Sequence, residues 1–323
     1  MNIASDRRFN LRSFLATRRS LALLVLIVGF FIVFSLLFPS TFGTYDNFSL
    51  ILLNMSAEAP VLMAMAIILI SGEIDLSLGA QMVLGGILCG RFMNVSGFSP
   101  LLSIIIVLLI SLLTGFINGV IISKLKVTAF ITTLSTGMIF LGIAVMLAGT
   151  GWTNFPLDFT AMGQAKLLGI QMPVFYMLIV VFIMSFLMAK SRFFRQYYYI
   201  GGNTKAANLS GIDIDKMKII SFVIAGFLAT LAGIITAARY NVTLPNIGTG
   251  VELRAVTAAV IGGVSFTGGK GNVQDAALGA VFISCLNNVL AVLKVNQNYQ
   301  FCITGIVLIL AIVLDIKITK KAE

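Results

Sequence analysis

Long apolar runs, separated by short polar connections, make up most of this 323-residue chain. Only 11% of the residues are charged, whereas a water-soluble domain carries roughly 25%, so polar groups cannot cover a folded surface of this chain. A helix needs about 20 apolar residues to cross a bilayer, and the connections between the runs are too short for a soluble catalytic domain. The sequence therefore predicts an all-α, polytopic transmembrane helix bundle that is not an enzyme.

The apolar runs and the residues that interrupt them predict about ten membrane spans. The third and eighth runs are too short to cross about 30 Å of hydrocarbon as straight helices, and both adjoin glycine-rich segments. Either is expected to be a broken or re-entrant helix, which requires protein or a water-filled cavity around its backbone. The predicted spans are residues 20–38, 47–70, 77–89, 101–122, 129–148, 172–189, 219–238, 256–264, 276–293 and 301–314.

Lysine and arginine are distributed unevenly among the connections. Residues 1–19 form a basic N-terminal arm, and residues 317–323 form a basic C-terminal tail. With the arm in the cytoplasm, 17 of the 22 Lys and Arg residues lie on the cytoplasmic side, which is the side where such residues accumulate. The sequence therefore predicts two cytoplasmic termini and a transmembrane domain over residues 20–316. The long connection 149–171 is predicted to cap the external surface.

The chain lacks the residue patterns that metal and nucleotide chemistry need. Histidine is absent, and Cys89, Cys285 and Cys302 lie singly within apolar runs, which removes histidine-dependent triads and Cys/His metal sites. Residues 262–271 are rich in glycine and contain Lys270, but they do not fit the phosphate-binding pattern G-x-x-x-x-G-K-[ST] at either end. We therefore expect no metal and no cofactor in this chain, and any ATP hydrolysis requires a separate subunit.

The most informative polar stretch is the internal segment 190–218, which contains six cations. Asn203 or Thr204 can cap a short helix, and Gly211 can end it in the left-handed conformation. This pattern predicts a short helix along the cytoplasmic surface, between the sixth and seventh spans. From these residues alone, a docking role and an ordinary cytoplasmic hairpin both remain open.

Several polar residues in or beside the spans are candidates for a translocation path or gate. Glu58 lies near the middle of the second span, where ionisable side chains usually face a bundle interior or an aqueous path; alternatively the span starts later and Glu58 is interfacial. Asp75 and Ser77 can act as a gate or can simply cap the third helix, and Asn or Thr residues within spans often only bridge helices. The candidates are Asn54, Glu58, Asp75, Ser77, Thr132, Thr133 and Asn288.

Four ordered motifs resemble those of the membrane-spanning permease subunits of bacterial ABC importers for simple sugars, the ribose-type family. The first is similar to the family's Gly-Gly-Ile-Asp-Leu-Ser-Val-Gly signature, although Glu73 stands where the family usually has Gly. In the second, Ala129 stands where the family often has Pro. We expect the first departure to affect solute handling and the second to affect helix bending. The motifs are residues 72–79, residues 125–134, residues 202–212 and residues 259–271.

The resemblance implies a ten-helix permease domain in the bacterial inner membrane that encloses a translocation path. It implies pairing with a second copy or a sister permease, docking of two ATP-binding subunits, and delivery of solute by an extracytoplasmic binding protein. It also identifies residues 190–218 as the coupling segment to the ATP-binding subunits. The implied coupling residues are Gly202, Asn203, Ala206, Ala207, Ser210, Gly211 and Ile212.

Two other functions remain open at this level. A self-sufficient secondary transporter relies on ions or protons near the membrane midplane, and Glu58 would then be its proton carrier. Within the family that the chain resembles, the solute could instead be of the autoinducer-2 type. No pattern of hydroxyl-binding residues can be read from sequence spacing, so the sequence does not identify the sugar.

Overall fold

The computed structural model describes residues 19–321. The predicted basic arm, apart from Arg19, lies outside the described residues, as do residues 322–323. The described chain is mainly helical, with four two-residue strands: β1 (Trp152–Thr153), β2 (Lys166–Leu167), β3 (Ile170–Gln171) and β4 (Val242–Thr243). The helices are α1 (Arg19–Leu37), α2 (Tyr45–Ile70), α3 (Leu78–Asn94), α4 (Pro100–Ser123), α5 (Ala129–Ala148), α6 (Leu157–Gln164), α7 (Met172–Lys190), α8 (Arg192–Gly202), α9 (Thr204–Leu209), α10 (Ile214–Tyr240), α11 (Val251–Ile261), α12 (Val273–Val292) and α13 (Gln297–Lys321).

One helix corresponds to each predicted span, and the polytopic helical fold is confirmed. Seven helices among the described residues, α1, α2, α4, α5, α7, α10 and α12, are long and apolar enough to cross a membrane. α3 has 17 residues, and α13 contains a shorter apolar stretch, Asn298–Val313. α11 has only 11 residues, which gives a length of about 16 Å. It is therefore too short to cross the bilayer by itself, as expected for a broken helix.

Three predicted boundaries were wrong for identifiable reasons. α3 continues beyond residue 89 to Asn94, because Arg91 in its last turn is a cation that suits a helix C-terminus. α11 begins before residue 256, at Val251, and ends at Ile261 rather than at residue 264, because Gly263 has a φ of +90° and leaves the helix. α13 continues to Lys321, so the basic residues of the predicted tail extend the last helix, consistent with the good helix propensity of lysine.

The departure at Ala129 also has a structural explanation. Ala129 is the first residue of α5, and proline is well tolerated at that position because the N–H group there has no partner within the helix. A proline at this position in related chains would start the helix rather than bend it. The predicted effect of Ala129 on helix bending was therefore wrong.

α2 is the central helix of the bundle. Every residue from Ala59 to Ile70 is buried, because α7, α10, α11 and α12 pack around this part of the helix. A helix that is apolar on all sides is expected to be enclosed in this way. α1 lies at the edge against α12, where the rings of Phe30 and Phe282 meet edge to face at 5.7 Å. Many of its apolar residues are exposed, as the lipid-facing side chains of a membrane span would be.

The connection 149–171 closes one end of the bundle, as the cap prediction requires. β1 pairs with β4 in antiparallel fashion, and β2 pairs with β3 in a small hairpin. Between them, Phe155 and Phe159 are buried against Ala237 and Ala238 in the last turns of α10. Because residues 190–218 lead into the first turns of α10, the cap and the predicted coupling segment lie at opposite ends of that helix.

Candidate functional site

The predicted coupling segment folds into two helices, α8 and α9. α9 is the short helix that the sequence predicts: Asn203 Oδ1 accepts a hydrogen bond from the amide of Ala206 at 3.0 Å, and Gly211 follows with a φ of +83°. α8 precedes it and was not predicted as a helix. Its signal was the three-residue spacing of Tyr197 and Ile200, which are both buried on one face.

Three glycine-containing segments meet at the start of α9, at residues 70–72, 201–202 and 268–269; we call this contact the glycine junction. The amide of Gly269 donates a hydrogen bond to the carbonyl oxygen of Ile70 at 2.9 Å. A Cβ atom on Gly201 would lie 2.0 Å from that oxygen and 2.5 Å from the Gly269 nitrogen. The missing side chain of Gly201 therefore permits close packing of the three segments.

The residues assigned to coupling differ in their exposure. Ala207 is only 3% exposed and packs against the core of its own chain, so its side chain is not on the exposed face of α9. Ala206 is exposed, and Leu209 in the same helix is 90% exposed. Gly202, Asn203, Ser210 and Gly211 are also exposed, and Ile212 is half-buried.

A surface recess of about 600 Å³ lies beside α9 and the start of α10. Lys126, Lys205 and Asn208 line it. Asp215 accepts hydrogen bonds from Lys124 at 3.1 Å and from Lys126 at 2.7 Å, which ties the connection between α4 and α5 to α10. The family-like motif at residues 125–134 therefore begins beside the coupling segment.

Asp75 and Ser77 belong to a buried polar cluster in the turn between α2 and α3. Both side chains are fully buried. Asp75 Oδ1 accepts hydrogen bonds from the Ser77 amide at 2.8 Å and from the Ser77 hydroxyl at 2.5 Å, and burial raises the pKa of the Asp75 carboxyl to about 6. Ser77 precedes α3, but its side chain makes no hydrogen bond to the helix start. Ser77 therefore does not cap α3 through its side chain, whereas Asp75 accepts from the amide that immediately precedes the helix.

Neighbouring helices complete this cluster. Ser77 Oγ accepts hydrogen bonds from Gln81 at 2.8 Å and from Asn118 of α4 at 2.9 Å. Thr133 Oγ1 of α5 accepts from the Leu76 amide at 3.0 Å, and Thr132 is buried beside it. These side chains connect α3, α4 and α5 within the protein, where each is at most 3% exposed.

Asn288 lies apart from both the coupling segment and the polar cluster around Asp75. Its side-chain amide exchanges two hydrogen bonds with that of Asn47, at 3.0 Å and 2.9 Å. Both residues are buried, and the pair joins α12 to the first turn of α2. Asn288 therefore bridges helices, which is the alternative that polar residues in spans commonly follow.

Glu58 and Asn54, by contrast, line an open polar cavity of about 330 Å³. Arg254 of α11 donates to Glu58 through Nη2 at 2.6 Å and through Nε at 3.2 Å. Glu58 is therefore paired with a cation at the wall of the cavity. The other polar residues that line the cavity are Thr236, Arg239, Tyr240, Asn287, Gln300 and Thr304.

The two arginines of this cavity, Arg239 and Arg254, were missed because the orientation prediction counts them among the five Lys and Arg residues off the cytoplasmic side, in external connections. Arg239 donates to Asn54 Oδ1 at 2.7 Å and to the Leu53 carbonyl oxygen at 3.1 Å. Its guanidinium carbon also lies 4.7 Å from the centre of the Tyr240 ring. Each arginine stands close to the end of an apolar run, and that position is the signal that could have placed it inside the bundle.

The chain is similar to known proteins over nearly its whole length. Residues 49–312 match the family described as the permease component of the branched-chain amino acid transport system. The ribose import permease protein RbsC of Escherichia coli strain K12 is 35% identical over 319 residues, which cover 97% of this chain and 98% of that protein. The D-allose transport system permease protein AlsC of the same strain is 34% identical over 320 residues, with 98% and 97% coverage.

A third relative matches a shorter region. The autoinducer 2 import system permease protein LsrC of Shigella flexneri is 33% identical over 270 residues, which cover 83% of this chain and 79% of that protein. No solved structure matches the chain at a significant level.

Proposed function

Because the chain belongs to this family of ABC-importer permease components, we propose that it forms the transmembrane path for a monosaccharide or similar small polar solute in the bacterial inner membrane. It is a multi-pass transport component and not an enzyme. Similarity to the ribose and D-allose permeases over at least 97% of the chain supports a sugar as the solute. The autoinducer 2 permease covers less of the chain, so that solute is the second candidate.

ATP is hydrolysed in this proposal by two separate ATP-binding subunits. The glycine-rich segment 262–271 does not supply a phosphate cradle, because its glycines form the turn after α11, in which the Ser265 amide donates to the Lys270 carbonyl oxygen at 3.0 Å. A second permease copy or a sister permease completes the path. An extracytoplasmic binding protein delivers the solute.

The exposed short helix α9 is the observation that carries the coupling role. A partner can shift a conformational equilibrium only through contacts that differ between the two states. α9 presents Leu209, which is 90% exposed, on a helix whose start is fixed to the end of α2 by the glycine junction. An exposed apolar side chain on a firmly held helix suits docking to an ATP-binding subunit.

The placement of the chain ends supports cytoplasmic termini. Ser20, at the start of α1, lines a recess together with Lys270 and Gly271. Asp315 in α13 accepts a hydrogen bond from the Phe266 amide at 3.2 Å. The first and last helices therefore both reach the 262–271 turn, on the same side as α9, which supports an even number of crossings.

A secondary transporter is disfavoured by family membership and by the geometry around Glu58. A proton carrier must exchange its proton during transport, whereas both carboxylate oxygens of Glu58 accept hydrogen bonds from Arg254. Uptake that requires an ATP-binding partner and persists after ion gradients are collapsed is the expected result. Uptake that stops with the gradients would contradict the importer proposal.

The coupling role is tested on the exposed face of α9. Leu209→Asp and Ala206→Trp should leave the permease folded and inserted, but they should release the ATP-binding subunit or uncouple ATP hydrolysis from uptake. Leu168→Asp is the matched control, because Leu168 is also 90% exposed but lies in the β2–β3 hairpin. Normal co-purification, ATP turnover and uptake for both α9 variants would refute the coupling assignment. Ala207→Trp is unsuitable, because Ala207 is buried.

A further inference from the structure

The polar cavity around Glu58 lies far from the coupling segment. Along α2, Glu58 is 12 residues from Ile70 of the glycine junction, a distance of about 18 Å. Along α10, Arg239 is 25 residues from Ile214, or about 37 Å. The cavity therefore opens in the half of the bundle that carries the 149–171 cap, which is the side from which an imported solute arrives in the proposed orientation.

The cavity places charged side chains inside an apolar bundle, where they are costly and commonly mark a substrate path. Arg254 is 19% exposed and Glu58 is 38% exposed at the side chain, so the pair is accessible from the cavity. Arg254 accounts for two of roughly four lone-pair positions on the Glu58 carboxylate. Arg254 also donates to the Thr249 carbonyl oxygen, so it holds the carboxylate in place while leaving acceptor capacity directed at the cavity.

Arg239 supplies hydrogen-bond donors to the same cavity. Arg239 is held by Asn54, by the Leu53 carbonyl oxygen and by the Tyr240 ring. A guanidinium carries more N–H donors than these two hydrogen bonds use. Asn287 and Gln300 add amide groups to the same cavity. Donors and acceptors therefore face a single space of about 330 Å³, which is at the small end of the range for ligand pockets.

The distribution of charge favours an uncharged ligand. Two carboxylates, Glu58 and the neighbouring Glu252, balance the two guanidinium groups of Arg254 and Arg239 in and around the cavity. An anionic solute would compete with Glu58 for Arg254, and a cationic solute would compete with Arg254 for Glu58. A sugar hydroxyl both donates and accepts hydrogen bonds, as any hydroxyl does, so it can use the remaining donors and acceptors without breaking the ion pair. Hydrogen bonds to charged groups are also the stronger ones.

We propose that this cavity is a binding site for a neutral monosaccharide, with Glu58, Asn54 and Arg239 contacting its hydroxyl groups and Arg254 acting as a positioning residue for Glu58. This inference rests on the proposed function, because it names the place where the permease itself contacts its solute. A zwitterionic amino acid is the competing ligand, since its ammonium and carboxylate groups could replace the partners in the Glu58–Arg254 pair.

A cysteine reporter tests the site directly. Thr304 lines the cavity, and its hydroxyl donates only to Gln300 of its own helix. Thr304→Cys is made in a Cys302→Ser background, because Cys302 is exposed, whereas Cys89 and Cys285 are buried. The permease is purified with its ATP-binding subunit in lipid nanodiscs, and the rate of modification by a small maleimide is measured with ribose, D-allose, leucine or ribose 5-phosphate.

Ribose or D-allose at millimolar concentration should slow the modification of Cys at position 304, whereas leucine and ribose 5-phosphate should not. Adding Glu58→Gln should raise the sugar concentration for half-protection by about tenfold, because one charge-assisted hydrogen bond is weakened. Glu73→Gln is the matched control, because it also removes a carboxylate paired with a cation, at the far end of α2, and it should leave protection unchanged.

Equal modification with and without sugar, or protection by leucine in preference to sugar, would overturn the proposed site. Protection that Glu58→Gln leaves unchanged would overturn the role of Glu58. ATPase co-purification and uptake are measured on the same samples. If both are normal while sugar gives no protection, only this inference fails; if the ATP-binding subunit does not co-purify, the proposed function fails.

Discussion

The ammonium group of Lys218 donates a hydrogen bond to the carboxylate of Glu73, which joins the turn after α2 to the first turns of α10. The two side chains are only 21% and 18% exposed. Glu73 is the position at which the chain departs from the glycine usual in the family that it resembles. The contact gives the departure a structural explanation, a link between two helices at the coupling end, and Glu73 does not line the polar cavity.

The first prediction concerns this ion pair. Glu73→Gln and Lys218→Met should each lower the free energy of unfolding, and a double-mutant cycle should give a coupling energy of about 1 kcal/mol. Thermal unfolding of the four proteins in one detergent measures it. Uptake should persist, because neither residue faces the cavity. A coupling energy of zero would show that the pair contributes nothing to the link between the helices.

The second prediction separates close packing from flexibility at the glycine junction. Gly201→Ala would push a methyl group against the Ile70 carbonyl oxygen and the Gly269 nitrogen, and overpacking of this kind costs about 1–3 kcal/mol. Gly202→Ala meets no atom within 4 Å, so it should change stability by less than about 0.5 kcal/mol. Melting temperatures of the two variants decide the matter. Similar values would mean that Gly201 is not closely packed.

Local signals were the part of this protein that the sequence predicted well. The cap at Asn203 and the left-handed Gly211 depend on residues three or four positions apart, and the helices that match the ten predicted spans follow from apolar runs. The approximate place of the candidate site could also be predicted, because a carboxylate such as Glu58 in the middle of a span requires a polar environment.

The partners of those residues could not be predicted, because they are distant in sequence. Arg254 is 196 residues from Glu58, and Asn288 is 241 residues from Asn47. No local pattern encodes such pairs, since only the packing of the helices brings them together. The burial of Ala207 has the same origin. The residue composition of α9 suits a surface helix, but the bundle covers the face of α9 that carries Ala207.

The third prediction concerns Asn47 and Asn288. Replacing either residue with alanine should cost about 1 kcal/mol of stability, because the partner loses hydrogen bonds inside the bundle. Uptake per folded permease should stay normal, since neither side chain lines the cavity. Unfolding and transport are measured on the same preparations. A specific loss of uptake at full stability would return Asn288 to the set of path residues.

The last prediction uses the buried carboxyl of Asp75. Burial raises the pKa of this carboxyl to about 6, from about 3.9 in the unfolded chain. Between these values the folded protein binds more protons than the unfolded chain, so the free energy of unfolding falls as pH rises from about 4 to about 6. The loss of stability is up to roughly 3 kcal/mol for a pKa shift of about two units.

Asp75→Asn keeps an oxygen that can accept from Ser77 but does not titrate. The stability difference between the wild type and Asp75→Asn, followed by thermal unfolding from pH 4 to pH 7, should therefore move against the wild type as pH rises. A difference that stays constant over this range would mean that the folded carboxyl titrates as it does in the unfolded chain, and a sharp loss of uptake in Asp75→Asn at unchanged stability would assign Asp75 a gating role.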